Sequence, residues 1–209
     1  VAGGGIGGKF EFFVNAPLSD RMGIRAVGFY KRDAGWIDNV PGCRAFLPEP
    51  NPLGCPPSTN GGIRINNATF VEENYNTSET IGGHAPLGIE LNDNWTITPA
   101  VMYQSTDSEG NFSFDPSVGD LQVQHFAPEF RSDKFTQASL TIEGKIGNWD
   151  VTYAGAYLDR KTNSSSDYTD YSEAYDQIYS YYGGIAGYLY FTDSLGNTST
   201  SAKAKYSAT

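Results

Sequence analysis

Residues 81–103 read IGGHAPLGIELNDNWTITPAVMY. In the first half Ile81, Gly83, Ala85, Leu87, Ile89 and Leu91 alternate with Gly82, His84, Pro86, Gly88 and Glu90. In the second half Trp95, Ile97, Pro99, Val101 and Tyr103 alternate with Thr96, Thr98, Ala100 and Met102. A period of two is the mark of a β-strand, whose successive side chains point to opposite faces. Asn92, Asp93 and Asn94 between the halves are turn formers, so the stretch reads as a hairpin with one uncharged face.

Working outward, the same pattern recurs in four more places. Phe10, Phe12, Val14 and Ala16 share a face over about Lys9 to Ala16, and Ile24, Ala26, Gly28 and Tyr30 do so over about Gly23 to Arg32. Ala138, Leu140, Ile142, Gly144 and Ile146 follow over about Phe135 to Ile146. Trp149, Val151, Tyr153, Gly155 and Tyr157 complete the set over Trp149 to Asp159. With the quoted hairpin this predicts six strands in three hairpins. The short connections are Pro17–Met22, Asn92–Asn94 and Gly147–Asn148. The intervening connections are long, about residues 33–76, 107–134 and 161–209. Alternating short and long connections are the pattern of an up-and-down transmembrane β-barrel, with turns on one side of the membrane and loops on the other. In a compact soluble domain, structureless connections of that length would count against the strand assignment.

The composition agrees with strands in a membrane. The 209 residues include 24 Gly, 14 Tyr and 12 Phe, with 24 acidic against 14 basic side chains and a net charge of −10. That balance excludes a broad basic footprint for nucleic acid. No apolar run reaches the roughly 20 residues of a spanning helix, and none resembles a secretory leader; spanning strands leave no such run. The aromatics fall at chosen heights: Trp95 and Tyr103 are eight residues apart on one uncharged face, and Trp149 and Tyr157 repeat the interval. At about 3.3 Å per residue and a tilt near 40°, that interval rises on the order of 20 Å, close to the apolar band between two aromatic girdles. Trp95, Tyr103, Trp149 and Tyr157 are therefore the expected girdle residues, with outer-membrane lipid as their partner.

Val14–Leu18, then Ile24–Tyr30 leading into Gly35–Asn39, and Leu91–Pro99 with Tyr103 and Gln104, together with the hairpin from Phe135 to Arg160, resemble the barrel of TonB-dependent outer-membrane receptors. The resemblance runs from about Gly8 to Arg160. It implies an all-β antiparallel barrel, with residues 1–209 as part of its wall. It further implies a location in the outer membrane of a Gram-negative bacterium, and active import of an iron chelate, cobalamin or oligosaccharide captured at the extracellular loops. Coupling to the TonB complex would run through parts of the receptor that have no counterpart here, since the family's plug, TonB-contacting box and aromatic-ended last strand are not matched. Six strands are fewer than the smallest spanning barrel needs, so these residues taken alone are expected to aggregate or to require detergent. A secreted β-sandwich adhesion module and a passive porin are the competing readings. The first gains some weight from six N-x-S/T sequons, at Asn67, Asn76, Asn94, Asn111, Asn163 and Asn197.

The loops carry the remaining candidates. Cys43 and Cys55, in a proline-rich part of the first loop, form a pair that a disulfide would close. Zinc is not favoured there, with two thiols and no nearby histidine. Asp107, Glu109, Asp115, Asp120, Glu129 and Asp133 accompany the second loop, and Asp167, Asp170, Glu173 and Asp176 the third. They read as solvated acids, or as a site for Ca²⁺ or a cationic ligand. Beside them Tyr168, Tyr171 and Tyr175, with Asp170, are the expected ligand contacts, rigid rings with polar tips. They are equally readable as wall residues of a further strand, and a short helix or irregular loop is expected near Glu173 to Tyr182. His84 and His125 are expected to be solvated. Gly3, Gly5 and Gly8 fit G-x-G-x-x-G, but a strand follows them where a dinucleotide site needs a helix. No catalytic motif is present, so neither an enzyme nor a cofactor is expected.

Overall fold

A computed structural model of the chain describes residues 3–46, 63–171 and 174, with three short strands at 191–192, 198–199 and 206–208. The fold is all-β. Six long antiparallel strands form one sheet: β1 (Gly8–Ser19), β2 (Met22–Asp33), β6 (Ser78–Asn92), β7 (Trp95–Glu109), β9 (Phe130–Ile146) and β10 (Trp149–Ser165), side by side in that order. The loops contribute β3 (Asp38–Asn39), β4 (Cys43–Phe46), β5 (Ile63–Asn66) and β8 (Gln122–Val123). Beyond them lie β11 (Phe191–Thr192), β12 (Thr198–Ser199) and β13 (Tyr206–Ala208). β13 pairs with the outer end of β10 at Thr162–Ser164. Among the described residues no strand pairs with the free side of β1, and the sheet stays open.

Register turns six separate alternations into one surface. Residues directly opposite in a ladder share a face. Met22 pairs with Ile89, Ile89 with Ile97, Ile97 with Ile142 and Ile142 with Tyr153, an apolar row across five strands. Nearer the loops Phe12, Gly28, Gly83, Tyr103 and Thr136 form a second such row. Every residue assigned to an uncharged face in the sequence lies on this one side of the sheet. Charge enters it only at the loop end, where Asp159 stands opposite Thr136 and Arg32 reaches Glu79 at 3.1 Å. The other side carries Glu11, Arg25, Lys31, His84, Gln104, Gln137, Glu143 and Arg160.

Two glycines on the uncharged side let neighbouring rings lie flat across the sheet. A Cβ at Gly28 would meet the Phe12 ring at 2.5 Å, and one at Gly144 would meet the Trp95 indole at 2.3 Å. Each pair is directly cross-strand, so the ring replaces contacts that the glycine lacks. Two prolines have the opposite effect. The β2–β6 register passes from Ile24↔Leu87 to Val27↔His84, and β6–β7 from Pro86↔Ala100 to Ile89↔Ile97. The ladder lapses beside Pro86 and Pro99, which have no N–H to give.

The strands outrun their predicted ends. β1 continues through Pro17 and Leu18, leaving Asp20 and Arg21 as the turn. β9 begins at Phe130 and β10 ends at Ser165. The added residues, among them Arg131, Asp133, Lys134 and Lys161, are polar on both faces and so carry no alternation. Asp133 takes a two-pronged bond from Arg160, with Nε to Oδ1 at 2.8 Å.

The packed core is not in the sheet. The buried apolar residues are Ile37, Tyr75, Val123, Phe126 and Ala127, and the largest fully buried side chains are Ile37, Asn67, Asn76 and Thr169. All belong to the loops. The connections taken as irregular thus fold together into a cap at one end of the sheet. Trp149 and Tyr157, by contrast, are 77% and 72% exposed. A β-sandwich would bury one face of the sheet under a second one, and among the described residues no second sheet covers either side.

Candidate functional site

The cap is built around three asparagines. Asn39 pairs with Val123 through the short parallel β3–β8 ladder and with Glu72 through an isolated bridge. Its side chain sits where the first and second loops cross. Nδ2 donates to the Phe70 carbonyl at 2.7 Å and the His125 carbonyl at 3.1 Å, and Oδ1 accepts the His125 N–H at 2.8 Å. Asn67 accepts the Gly42 N–H at 2.7 Å and donates to the Val40 carbonyl at 2.8 Å. Asn76 accepts the N–H groups of Trp36 and Ile37, each at 2.8 Å. Short amide side chains here do what a β-ladder does elsewhere: they satisfy buried backbone groups. Asn67 and Asn76 are two of the six sequon asparagines, and at 1% and 0% exposure neither can carry a glycan in this fold.

The third loop is fastened to the second by Asp167. Its carboxylate accepts from Phe126 N at 2.5 Å, Ala127 N at 3.2 Å, Thr169 N at 2.9 Å and Thr169 Oγ1 at 2.5 Å. Burial alone would raise its pKa, but the nearby His125 imidazole and the bonds from Thr169 and Phe126 outweigh burial and bring it down to about 2. Glu129 Oε1 accepts the Asp167 N–H at 3.0 Å. His125 lies between the two acids, with Nδ1 3.7 Å from Asp167 and Nε2 3.5 Å from Glu129. Burial disfavours the imidazolium, yet the close Asp167 contact and the carboxylates of Glu129 and Asp170 raise His125 above its usual 6.5. Tyr75, whose ring centre is 5.8 Å from that of His125, is pushed up to about 12, first by burial and then by Glu129 and Asp167.

These placements correct the expectation of solvation for His125, Glu129 and Asp167. The His125–Glu129 pair, four residues apart, and Thr169 beside Asp167 are local in sequence, but the bonds that bury Asp167 and Glu129 span 38 to 41 residues. His84 does stand exposed on the charged side of β6. Asp115 also behaves as expected, accepting from Ser117 in an exposed turn that lowers its pKa.

Of the expected ligand contacts, Tyr168 and Tyr171 meet edge to face at 6.0 Å and are 40% and 55% exposed. Asp170 is beside them but engaged with Arg44 Nε at 2.7 Å, and the Arg44 guanidinium also lies 4.9 Å from the centre of the Phe126 ring. Tyr175 lies outside the described residues. A helical turn opens at 169–171, just before the predicted 173–182, of which only Ala174 is described. Cys43 is disulfide-bonded, and Cys55, the chain's other cysteine, lies outside the described residues. Trp95, Tyr103, Trp149 and Tyr157 all stand on the uncharged side of the sheet.

Between the first and second loops the cap holds an open cleft of about 420 Å³, walled by Phe70, Tyr75, Phe130 and Pro128 and by three acids, Glu72, Glu109 and Glu129. Among the described residues no three His, Cys, Asp or Glu side chains converge as a metal set. Nor does Thr169–Asp167–His125 form a nucleophile and base: the carboxylate lies between the other two, and Thr169 is 1% exposed. No family model, curated protein or solved structure matches the chain.

Proposed function

We propose that the chain is a section of the wall of an outer-membrane β-barrel of the TonB-dependent receptor type. In this reading it imports a scarce ligand, such as an iron chelate, cobalamin or an oligosaccharide, that is captured first at the loop cap. The observation that carries this reading is the register. Six alternating strands superimpose on one uncharged face, bounded by Trp95 and Trp149 at the short-turn end and by Tyr103 and Tyr157 toward the loops. Large apolar side chains left exposed on that scale mark a surface meant for an apolar partner. Lipid suits it because an apolar row runs from Met22 to Tyr153 across five neighbouring strands, a continuous surface of the kind a bilayer covers. The open edges of the sheet would be closed by neighbouring strands of the same barrel.

Two buried sequon asparagines and the uncovered sheet speak against the secreted glycoprotein sandwich. A folded cap with a ligand-sized cleft favours a receptor over a passive pore.

The membrane half of the proposal is tested with single-tryptophan variants in vesicles whose lipids carry bromine at known depths. Trp95 and Trp149 should be quenched most by bromines near the headgroups, and Trp36, in the cap, least. Equal quenching of all three, or none, would refute the wall reading. The transport half is tested in cells expressing the whole receptor: uptake should stop when a protonophore removes the energy source, and continued uptake would identify a passive channel.

A further inference from the structure

Two buried polar atoms among the described residues of the cap lack a hydrogen bond, Asn76 Nδ2 and Glu129 Oε2, and of the two residues only Glu129 lines the cleft. The Glu129 side chain is 8% exposed, and its Oε1 is taken by the Asp167 N–H, but Oε2 has no hydrogen-bond partner. His125 Nε2 is 3.5 Å from it, an ion-pair distance without a hydrogen bond, so the oxygen keeps room for a donor. A buried carboxylate oxygen in that state is costly, and it faces the 420 Å³ cleft that Glu129 lines. The rest of the lining fits one kind of guest. Glu72 and Glu109 add negative charge, and among the described residues no Lys or Arg lines the cleft and His125 is the only basic group there. Phe70, Tyr75 and Phe130 supply ring faces and edges.

A divalent ion is not the match, because the acids do not converge. An ammonium group needs only one carboxylate oxygen as acceptor and is attracted to aromatic faces. We propose that the cleft binds an organic cation, its ammonium donating to Glu129 Oε2 and its apolar part lying against Tyr75 and Phe130. The proposal rests on the receptor reading for its purpose, as the outer contact of an imported ligand, and on the cleft alone for its chemistry.

The test uses the whole protein in detergent or nanodiscs and calorimetric titration with phenethylammonium chloride, against 2-phenylethanol as the neutral isostere. The amine should bind saturably, and the alcohol at least about tenfold more weakly. Glu129→Gln should lower amine affinity about tenfold or more. Glu109→Gln, which leaves the Glu129–Asp167 contact in place, should lower it severalfold; this variant decides the matter where Glu129→Gln disturbs the cap. Equal binding of alcohol and amine, unchanged affinity in Glu109→Gln together with Glu129→Gln, or no saturable binding up to about 10 mM overturns the proposal. Bromolipid quenching on the same sample separates the two readings. Inserted protein that ignores the amine refutes the cleft alone, and amine binding by protein that stays out of the bilayer refutes the receptor alone.

Discussion

Replacing Asp167 with alanine should open the cap and leave the sheet intact. Its carboxylate is 3% exposed and accepts four hydrogen bonds, two of them from backbone N–H groups of the second loop. Lowering its pKa from 3.8 to about 2 corresponds to about 2.5 kcal/mol of preference for the folded, charged form. Orphaning the Phe126 and Ala127 donors costs about 1 to 3 kcal/mol each by an independent route, so a penalty of about 3 kcal/mol is expected. The assay is amide hydrogen exchange read residue by residue. At that penalty the Phe126 and Ala127 amides should exchange roughly a hundredfold faster, while those of β7 and β9 keep their protection. The pH dependence has a fixed sign. A depressed carboxylate stabilises fully above its unfolded pKa of 3.8, and that contribution fades as pH falls toward about 2. Unchanged exchange at Phe126 and Ala127 would refute the account of Asp167 as the fastener. Equal acceleration throughout the sheet would refute the cap as a separate unit.

Four other outcomes follow from the same geometry. Leu140→Arg, on the uncharged side opposite Pro99 and Gly155, should cost about 2 to 4 kcal/mol in urea titrations of vesicle-inserted protein, and Ser139→Arg on the other side less than about 1; equal costs would remove the case for lipid on one face. Gly144→Val should displace the Trp95 indole, shift its emission and cost about 1 to 3 kcal/mol, whereas Gly8→Ala, with open space around its Cβ, should be close to neutral by the same titration. His125 has a raised pKa, so its contribution is complete below 6.5 and is lost as pH rises through the folded value; cap exchange, corrected for its intrinsic pH dependence, should quicken as pH rises above 6.5 in the wild type, and a His125→Gln variant that keeps the slope would assign it elsewhere. Asn76→Ala strips two backbone donors of a fully buried acceptor and should cost about 2 to 4 kcal/mol in cap stability, seen as faster exchange at Trp36 and Ile37; unaltered exchange there would mean the bond carries no weight.

The sheet was legible because each strand has one uncharged and one polar face, which writes a period of two into the sequence at Ile81–Leu91 as plainly as at Trp149–Tyr157. The signal failed where both faces are polar, so the ends of β9 and β10 were placed short. The cap was illegible for a different reason. Asn39, Asn67 and Asn76 bond to backbone groups, and backbone groups look alike in every residue. Nothing in the identity of Gly42, Phe70 or Trp36 records that an amide waits for it 25 to 40 positions away. Tyr168, Tyr171 and Asp170 were found as a group because they are neighbours in sequence. The cleft acids were visible only as composition, since Glu72, Glu109 and Glu129 come from two loops that only the folded chain brings together.

That economy of the asparagine framework bears on how such a cap can diverge. Because Asn39, Asn67, Asn76 and Asp167 mostly grip peptide groups, the side chains at the gripped positions are largely spared from holding the frame. A lineage can therefore rewrite much of the cap's outer lettering, its Tyr168 and Tyr171 included, while four residues keep the same scaffold standing. New specificities would then arise by substitution on a standing frame, without a new fold having to be found.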